Sequence, residues 1–537
     1  MSDILFCTFY ILLLSFIIVR TDFFTLPAFK PFHTLLLFYL KLLAGLGLWF
    51  LYSHLSPNRY TSDIFKYYDD AGLMYNCIHH HPADFIKMIC GIDDSGLRIR
   101  TVYGQMNSWA NGYGSALYNN SHFIIRLNAL FMLLSQGHYG VHVIFMCFIS
   151  LTGLVFIYKR FYPPLSRKPF LLLASVFLFP SVLLWGSGIL KEALVFLGLG
   201  ASIFYFYKLI NNHGNPVKNA ILVLLALILI LENKAYVAFC LLPCLLSEFA
   251  VHRIALCRKH IALTYAAVTA LYLFAGMNIS RLGVPVNPMG MLAAKQTDFN
   301  RIANGGLYLQ ASRDSNLYAL LPSGDTAQLV AANPFSDSIR QNKGIKYLSS
   351  PSFIRSGRSA HRFALFTIKP GAAFKRFRAN TSDTAYQTAG DTGRYHIFIY
   401  SAPAKSRILT EAIKTSLSGL AAQVPQALAL TLIRPLPGEI HSATALLEFA
   451  ENVLLWLLLL GTVAIPYLRR PATGASTQAA PHPQVSPAAL CLTFTLLMLT
   501  LIGLVTPLYG GIERYRCLAM PFLIILLLLF YDKRTRT

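Results

Sequence analysis

The chain has 537 residues, 55% of them hydrophobic and only 13% charged. A soluble protein of this size carries about a quarter charged residues, so this balance excludes a soluble enzyme and puts most of the chain in lipid. The net charge is +23, from 46 Lys and Arg against 23 Asp and Glu, with no nucleic-acid-binding motif to absorb it; it suits cytoplasmic anchoring of spans and an anionic partner outside them.

Apolar runs of membrane-crossing length recur along the chain. The candidates are Ile4–Val19, Leu35–Leu55, Val141–Tyr158, Pro169–Leu190, Ala193–Ile210, Ala220–Leu231, Ala235–Phe249, Ile261–Met277, Val453–Leu468, Leu490–Leu508 and Cys517–Tyr531, about eleven in all. The expected fold is an all-α polytopic membrane protein with a small mixed α/β extracytoplasmic domain. Residues 1–277 form an N-terminal transmembrane region, 278–444 a basic loop domain, and 445–537 a C-terminal transmembrane region. No small-residue cleavage site follows the first run, and Arg20 comes directly after it, so it reads as a retained span.

Lys and Arg set the orientation. With the N-terminus outside, the inside loops hold Arg20, Lys159, Arg160, Arg167, Lys168, Arg253, Arg258, Lys259, Arg469 and Arg470, among others. The short outside turns then hold only Lys191, Lys234, Arg514 and Arg516. The reading is a multi-pass protein of a bacterial inner membrane, N-terminus out and C-terminus cytoplasmic.

The first outside loop, 56–140, contains Asp63, Asp69 and Asp70 just after a span. A carboxylate there can take a proton from an acceptor hydroxyl, although adjacent acids are also common as solvated loop residues. In Ser121–Gln136, Phe123, Ile124, Leu127, Leu130, Phe131 and Leu134 follow a helical period, the pattern of a helix lying in the interface. Consecutive His79, His80 and His81 cannot easily all face one ion, so no metal site is read here and no cofactor is named, the need for a divalent metal being left open. Cys77 and Cys90 are the two cysteines of this loop, and a disulfide between them is open.

Lys191 and Glu192 lie at an outer boundary after Pro180, Gly186 and Gly188. Ala220–Leu231 and Ala235–Phe249 are short, so their joining turn, Glu232-Asn233-Lys234, is drawn below the outer surface, as part of a polar cavity or as an internally paired turn. The loop 278–444 carries nineteen Lys and Arg against eight Asp and Glu. Gly306–Ala311, Asn316–Leu321, Ala327–Ala331, Arg362–Ile368 and Tyr395–Tyr400 read as strands, and Ile408–Leu432 as an amphipathic helix. Arg434 leads through Pro435 and Pro437 to Glu448, Glu451 and Asn452, which share one helix face at the outer lip of the next span. Pro471–Pro487 is a polar inside linker. Glu513, Arg514 and Arg516 then stand in an outside turn, where arginine forks suit phosphate oxygens or a structural ion pair.

This layout resembles the membrane-embedded C-type glycosyltransferases and the related surface-polysaccharide polymerases. The resemblance is carried by Tyr67-Tyr68-Asp69-Asp70-Ala71 and by Arg514-Tyr515-Arg516 with Pro521. It implies that Asp69 or Asp70 is the general base toward a glycan acceptor, and that Arg514 and Arg516 hold the phosphate of a polyprenyl-linked sugar donor. In that superfamily the acidic loop usually follows the first span; here it follows the second, as though one N-terminal span were added. The candidate catalytic residues are Asp69, Asp70, Glu448 and Glu451, and the candidate substrate-binding residues Lys191, Glu192, Arg434, Glu513, Arg514 and Arg516. Two rivals stand beside this reading: a transporter or flippase for an anionic lipid-linked glycan, using Glu232 and Lys234, and a non-catalytic assembly protein.

Overall fold

The computed structural model describes residues 2–534 except 55–61, 107, 110–119, 283–286, 305, 312–316, 321–360, 368–372, 378–383, 389–393, 402–403, 405, 409, 415 and 469–484. Among the described residues of the N-terminal half the regular elements are helices: α1 Ser2–Arg20, α2 Pro31–His54, α3 Asp63–Asn76, α4 Pro82–Cys90, α5 Leu97–Gln105, α6 His122–Ser135, α7 Tyr139–Phe161, α8 Pro169–Leu173, α9 Pro180–Trp185, α10 Lys191–Ile210, α11 Pro216–Arg253, α12 Ala255–Lys259, α13 Ile261–Asn278 and α14 Pro288–Asn304. After a sheet come α15 Leu417–Leu432, α16 Ala443–Leu468, α17 Val485–Val505, α18 Tyr509–Arg516 and α19 Met520–Arg534. Among the described residues, eight helices are long and apolar enough to cross a membrane, or nine if the bent pair α18 and α19 is one span. The chain is therefore a polytopic membrane protein with a helical membrane part.

That number falls below the expected eleven for identifiable reasons. Pro169–Leu190 is not one helix: a π turn, Ala174–Leu178, follows α8, and Phe179 is extended (φ −65°, ψ 131°) before Pro180. The residue before proline is pushed out of the helical region, so the helix restarts at Pro180. Similarly, Pro521 has no N–H to close a helical turn, and α18 meets α19 at 61°.

The two short runs on either side of Lys234 are merged in α11, which spans 38 residues. A straight helix of that length would reach about 57 Å, nearly twice the hydrocarbon core. Instead Lys234 leaves helical geometry (φ −148°, ψ 80°), and the contacts show the chain reversing. The Asn219 side-chain amide donates to the His213 carbonyl near the start of α11, Lys234 meets Glu192 at the start of α10, and Glu248 meets Arg160 at the far end of α7. The bundle thus has an upper end, holding Asp3, His138, Glu192 and Lys234, and a lower end, holding Arg20, Lys159, Arg160 and Glu248.

α7, α10 and α17 form the interior. α7 and α10 cross at two glycines: a Cβ on Gly200 would fall on the Gly153 carbonyl, and one on Gly153 would fall on the Phe196 backbone. Neither neighbour is a side chain that can rotate away, so the backbones must separate. Gly153→Ala or Gly200→Ala is expected to cost about 1–3 kcal/mol and to lower the melting temperature of the detergent-purified protein. An unchanged melting temperature in both would show that the crossing is looser than this. At the upper end α6 is clamped to α7 by a buried relay in which His142 bonds Ser135 Oγ through Nε2 (2.8 Å) and Asn128 Oδ1 through Nδ1 (2.8 Å). α6 packs on α3, where Met132 lies beside Gly72, with Ile124 and Ala129 also buried, and leaves Leu130, Leu133 and Leu134 exposed, as an interfacial helix would.

Between α14 and α15 the backbone forms a six-stranded antiparallel sheet in the order β3-β6-β1-β2-β4-β5. The strands are β1 Gly306–Ala311, β2 Leu317–Leu320, β3 His361–Thr367, β4 Ala373–Phe377, β5 Thr384–Thr388 and β6 Arg394–Ser401. Four of them match expected strands. Ala327–Ala331, Arg469-Arg470 and most of the Pro471–Pro487 linker lie outside the described residues. The helix expected from Ile408 begins only at Leu417, capped by Ser416, whose hydroxyl accepts from the Gly419 amide. Ile408 instead donates its amide to the Pro507 carbonyl, and Gln296 ties the same segment to Leu504, which fastens it to the loop that launches α18. All nine cysteines are free thiols, Cys77 and Cys90 among them.

Candidate functional site

The site is built around α18. Pro507 stops α17, and Leu508 is extended, so the chain turns back into the bundle over eight residues. At about 100° per residue, Arg514 and Arg516 point to nearly opposite sides of this helix, while Glu513 and Arg516, three apart, share a side. One short helix thereby feeds two ionic clusters.

The upper cluster gathers residues from α3, α10, α11 and α18. Arg514 grips Glu192 side-on, with Nε to Oε1 at 2.6 Å and Nη2 to Oε2 at 3.2 Å, and gives Nη1 to Asp63 Oδ2 at 2.5 Å. Glu192 Oε1 also accepts from Lys234 Nζ at 2.7 Å. The bend in α11 is what presents Lys234 there, and its ammonium lies 4.2 Å from the centre of the Tyr515 ring. Lys191 Nζ donates to Asn120 Oδ1 at 2.7 Å and to Ser121 Oγ at 3.1 Å, 5.2 Å from the Tyr67 ring centre. Lys66 lies 3.8 Å from Asp63. Burial pushes the Asp63 carboxyl up, but Arg514 and then Lys66 outweigh it and hold the group well below the usual carboxylate range. Four cations, Lys66, Lys191, Lys234 and Arg514, therefore face two carboxylates, Asp63 and Glu192.

The lower cluster is closed off from solvent: Glu448, Asn452, Glu513 and Arg516 have no exposed surface and Glu451 has 1%. Glu448, Glu451 and Asn452 do share one face of α16, but Glu451 sits about 12 Å along the helix from Ala443, deeper than a lip position. Arg516 donates Nη2 to Glu451 Oε2 at 2.9 Å, and Nη1 to Asn452 Oδ1 at 2.5 Å and to the Thr431 carbonyl at 2.9 Å. The other oxygen of Glu451 accepts from the Ser181 amide, one of the free first-turn N–H groups that the break at Pro180 creates. Glu448 comes only within 3.7 Å of Arg516, and neither its oxygens nor those of Glu513 have a donor at hydrogen-bonding geometry. Glu513 lies against Trp185, whose indole nitrogen likewise has no acceptor at that geometry. Here one guanidinium faces three carboxyl groups, the reverse of the imbalance above.

Among the sequence-derived candidates, the structure thus unites Lys191, Glu192 and Arg514 in one cluster and Glu448, Glu451, Glu513 and Arg516 in the other. Arg434 stands apart, paired with Glu439, although its carbonyl accepts from Asn452. Asp70 is buried and accepts from the Ser108 amide at 2.7 Å, and Asp69 is half-buried on another side of α3. The carboxylate of α3 that reaches Arg514 is Asp63. It shares a stripe with Tyr67 and Asp70, since positions seven apart fall on one helix face. Lys234, read from the sequence as a rival's mid-membrane charge, belongs to the same cluster. Among the described residues no group of three His, Cys, Asp or Glu is arranged to hold a metal ion. Comparison with protein-family models, with curated proteins and with solved structures gives no match.

Proposed function

We propose that the protein is an integral membrane glycosyltransferase or polysaccharide polymerase. It uses a polyprenyl-phosphate-linked sugar at the outer face of the cytoplasmic membrane, with the upper end of the bundle facing out and the sheet-bearing segment outside the membrane. The observation that supports this best is the meeting of Asp63, Lys191, Glu192, Lys234 and Arg514, from four separate helices, at the end of the bundle. A lipid-linked sugar carries its anionic phosphate at headgroup depth with its reactive carbon just above. A cluster there with more cations than carboxylates stabilises that phosphate and the charge that builds on it as the sugar leaves. On this reading Asp69 or Asp70, about two turns along α3 from Asp63, takes the proton from the acceptor hydroxyl.

The transporter reading needs a polar route to the lower end. Below the two clusters the charged groups of the described interior are Lys41 and then the Arg160–Glu248 pair, and between them α7, α10 and α17 contribute mainly apolar side chains with the isolated hydroxyls of Ser150, Ser202 and Thr495. The test is to delete the gene and separate the lipid-linked and surface glycans. The transferase reading expects loss of one surface glycan with its lipid-linked precursor accumulating, and transfer restored by purified protein in nanodiscs given that precursor. Normal glycan and normal precursor levels in the deletion strain would end it.

A further inference from the structure

The arginines at the upper and lower clusters are committed to protein groups. Arg514 spends Nε, Nη1 and Nη2 on Glu192 and Asp63, and Arg516 is fully enclosed by Glu451, Asn452 and the Thr431 carbonyl. Lys234 has Glu192 as its counter-ion. Lys191 differs. Its side chain is buried, its residue only 5% exposed, and its ammonium donates to two neutral oxygens, Asn120 Oδ1 and Ser121 Oγ. Among the described residues no carboxylate oxygen lies within 4 Å of it. Asn120 is itself fixed, since its amide donates to the Asn233 carbonyl at the bend of α11. The ammonium is therefore held in place by dipoles, beside a cluster that already has surplus positive charge.

Resting on the transferase reading, we infer that Lys191, steadied by Asn120 and Ser121 at the start of α6, is the cation that contacts the phosphate of an anionic lipid. Arg514 instead acts as the strut that keeps Glu192 off Lys191. A buried ammonium with no carboxylate in contact among the described residues is costly, and a phosphate oxygen supplies the contacting charge. Phosphate is also the anion that matches a compact ammonium with neighbouring hydroxyl and amide groups, because its several oxygens accept from all of them.

The experiment uses the full chain in nanodiscs of neutral lipid and measures binding of farnesyl phosphate, inorganic phosphate and farnesol by calorimetry. Wild type is expected to bind farnesyl phosphate. Lys191→Met is expected to weaken that binding tenfold or more, to leave farnesol unchanged, and to melt no lower than wild type, because a charge without a partner has gone. Lys191→Arg should keep part of the affinity. Lys191-dependent binding of inorganic phosphate as well would identify the headgroup alone as the ligand; binding of farnesyl phosphate only would add the chain. Equal affinity in wild type and Lys191→Met overturns the inference, as does a lowered melting temperature with unchanged affinity, which is the signature of a structural lysine. If Lys191→Met does not accumulate, Lys191→Arg and Ser121→Ala give the same comparison. Because binding needs no sugar, phosphate capture without transfer would retire the transferase reading and leave this one standing.

Discussion

Glu192→Ala is expected to be the most damaging single substitution in the membrane part, costing more than Arg514→Ala. Glu192 is fully buried and answers two cations, Lys234 at 2.7 Å and Arg514 at 2.6 Å. Removing one member of a buried pair costs about 3–5 kcal/mol, because the partner is left charged and unsolvated. Removing Glu192 leaves Lys234 without its carboxylate and Arg514 with Asp63 alone, and the two cations repel each other. Arg514→Ala leaves Glu192 still bonded to Lys234, and leaves Asp63, whose side chain is 34% exposed, to water and Lys66. The expected order of destabilisation is therefore Glu192→Ala, then Arg514→Ala, then Asp63→Asn. The double variant Glu192→Ala/Arg514→Ala should lose less than the sum of the two singles, since each change removes the group that makes the other costly. Chemical unfolding in mild detergent measures all four. A Glu192→Ala protein as stable as wild type would show that the cluster is hydrated and its pairs interchangeable with water. Arg514→Lys should not rescue, because an ammonium cannot reproduce the fork on Glu192 and still reach Asp63.

How much of this was legible in the sequence depended on range. The membrane helices were, because hydropathy is a local property. The reversal at Glu232-Asn233-Lys234 was as well, since each flanking run is too short to continue through and three polar residues mark the turn. The break at Pro180 had a local signal that continuous hydropathy masked: a proline in mid-run stops a helix whatever the polarity around it. β4 has no clear signal, because Ala373-Phe374-Lys375-Arg376-Phe377 carries two adjacent cations that blur the alternation. Asp63 is harder to single out than Asp69 and Asp70 because its partner, Arg514, is 451 residues away, and nothing near it in the sequence points to that arginine. The split into two clusters rests on one element, α18. In a turn, Arg514 and Arg516 would act together; Tyr509–Arg516 is a helix, in which positions two apart face nearly opposite ways.

That split makes the three glutamates of the lower cluster unequal, and the inequality is measurable. Glu451 is bonded on both oxygens, to Arg516 and to the Ser181 amide. Glu451→Gln exchanges one carboxylate oxygen for an N–H donor that must point at either Arg516 or Ser181, both of them donors. A loss of about 3–5 kcal/mol is expected, the cost of breaking a buried pair. Glu448 and Glu513 have no donor to lose. Glu448→Gln and Glu513→Gln keep the volume, remove a buried acid that shares Arg516 without a hydrogen bond to it, and are expected to leave stability unchanged or raise it by about 1 kcal/mol. Groups that weaken the fold they sit in are retained where they act on something else, so the informative result is the pairing of stability with transfer. If Glu448→Gln melts as high as wild type and transfers no sugar, the unpartnered carboxyls belong to the reaction rather than to the scaffold. If it melts high and transfers normally, the lower cluster is scaffold, and the chemistry is confined to Asp63, Asp69, Asp70 and the upper cations. If it melts well below wild type, Glu448 has a partner in solution, and the distinction between it and Glu451 fails.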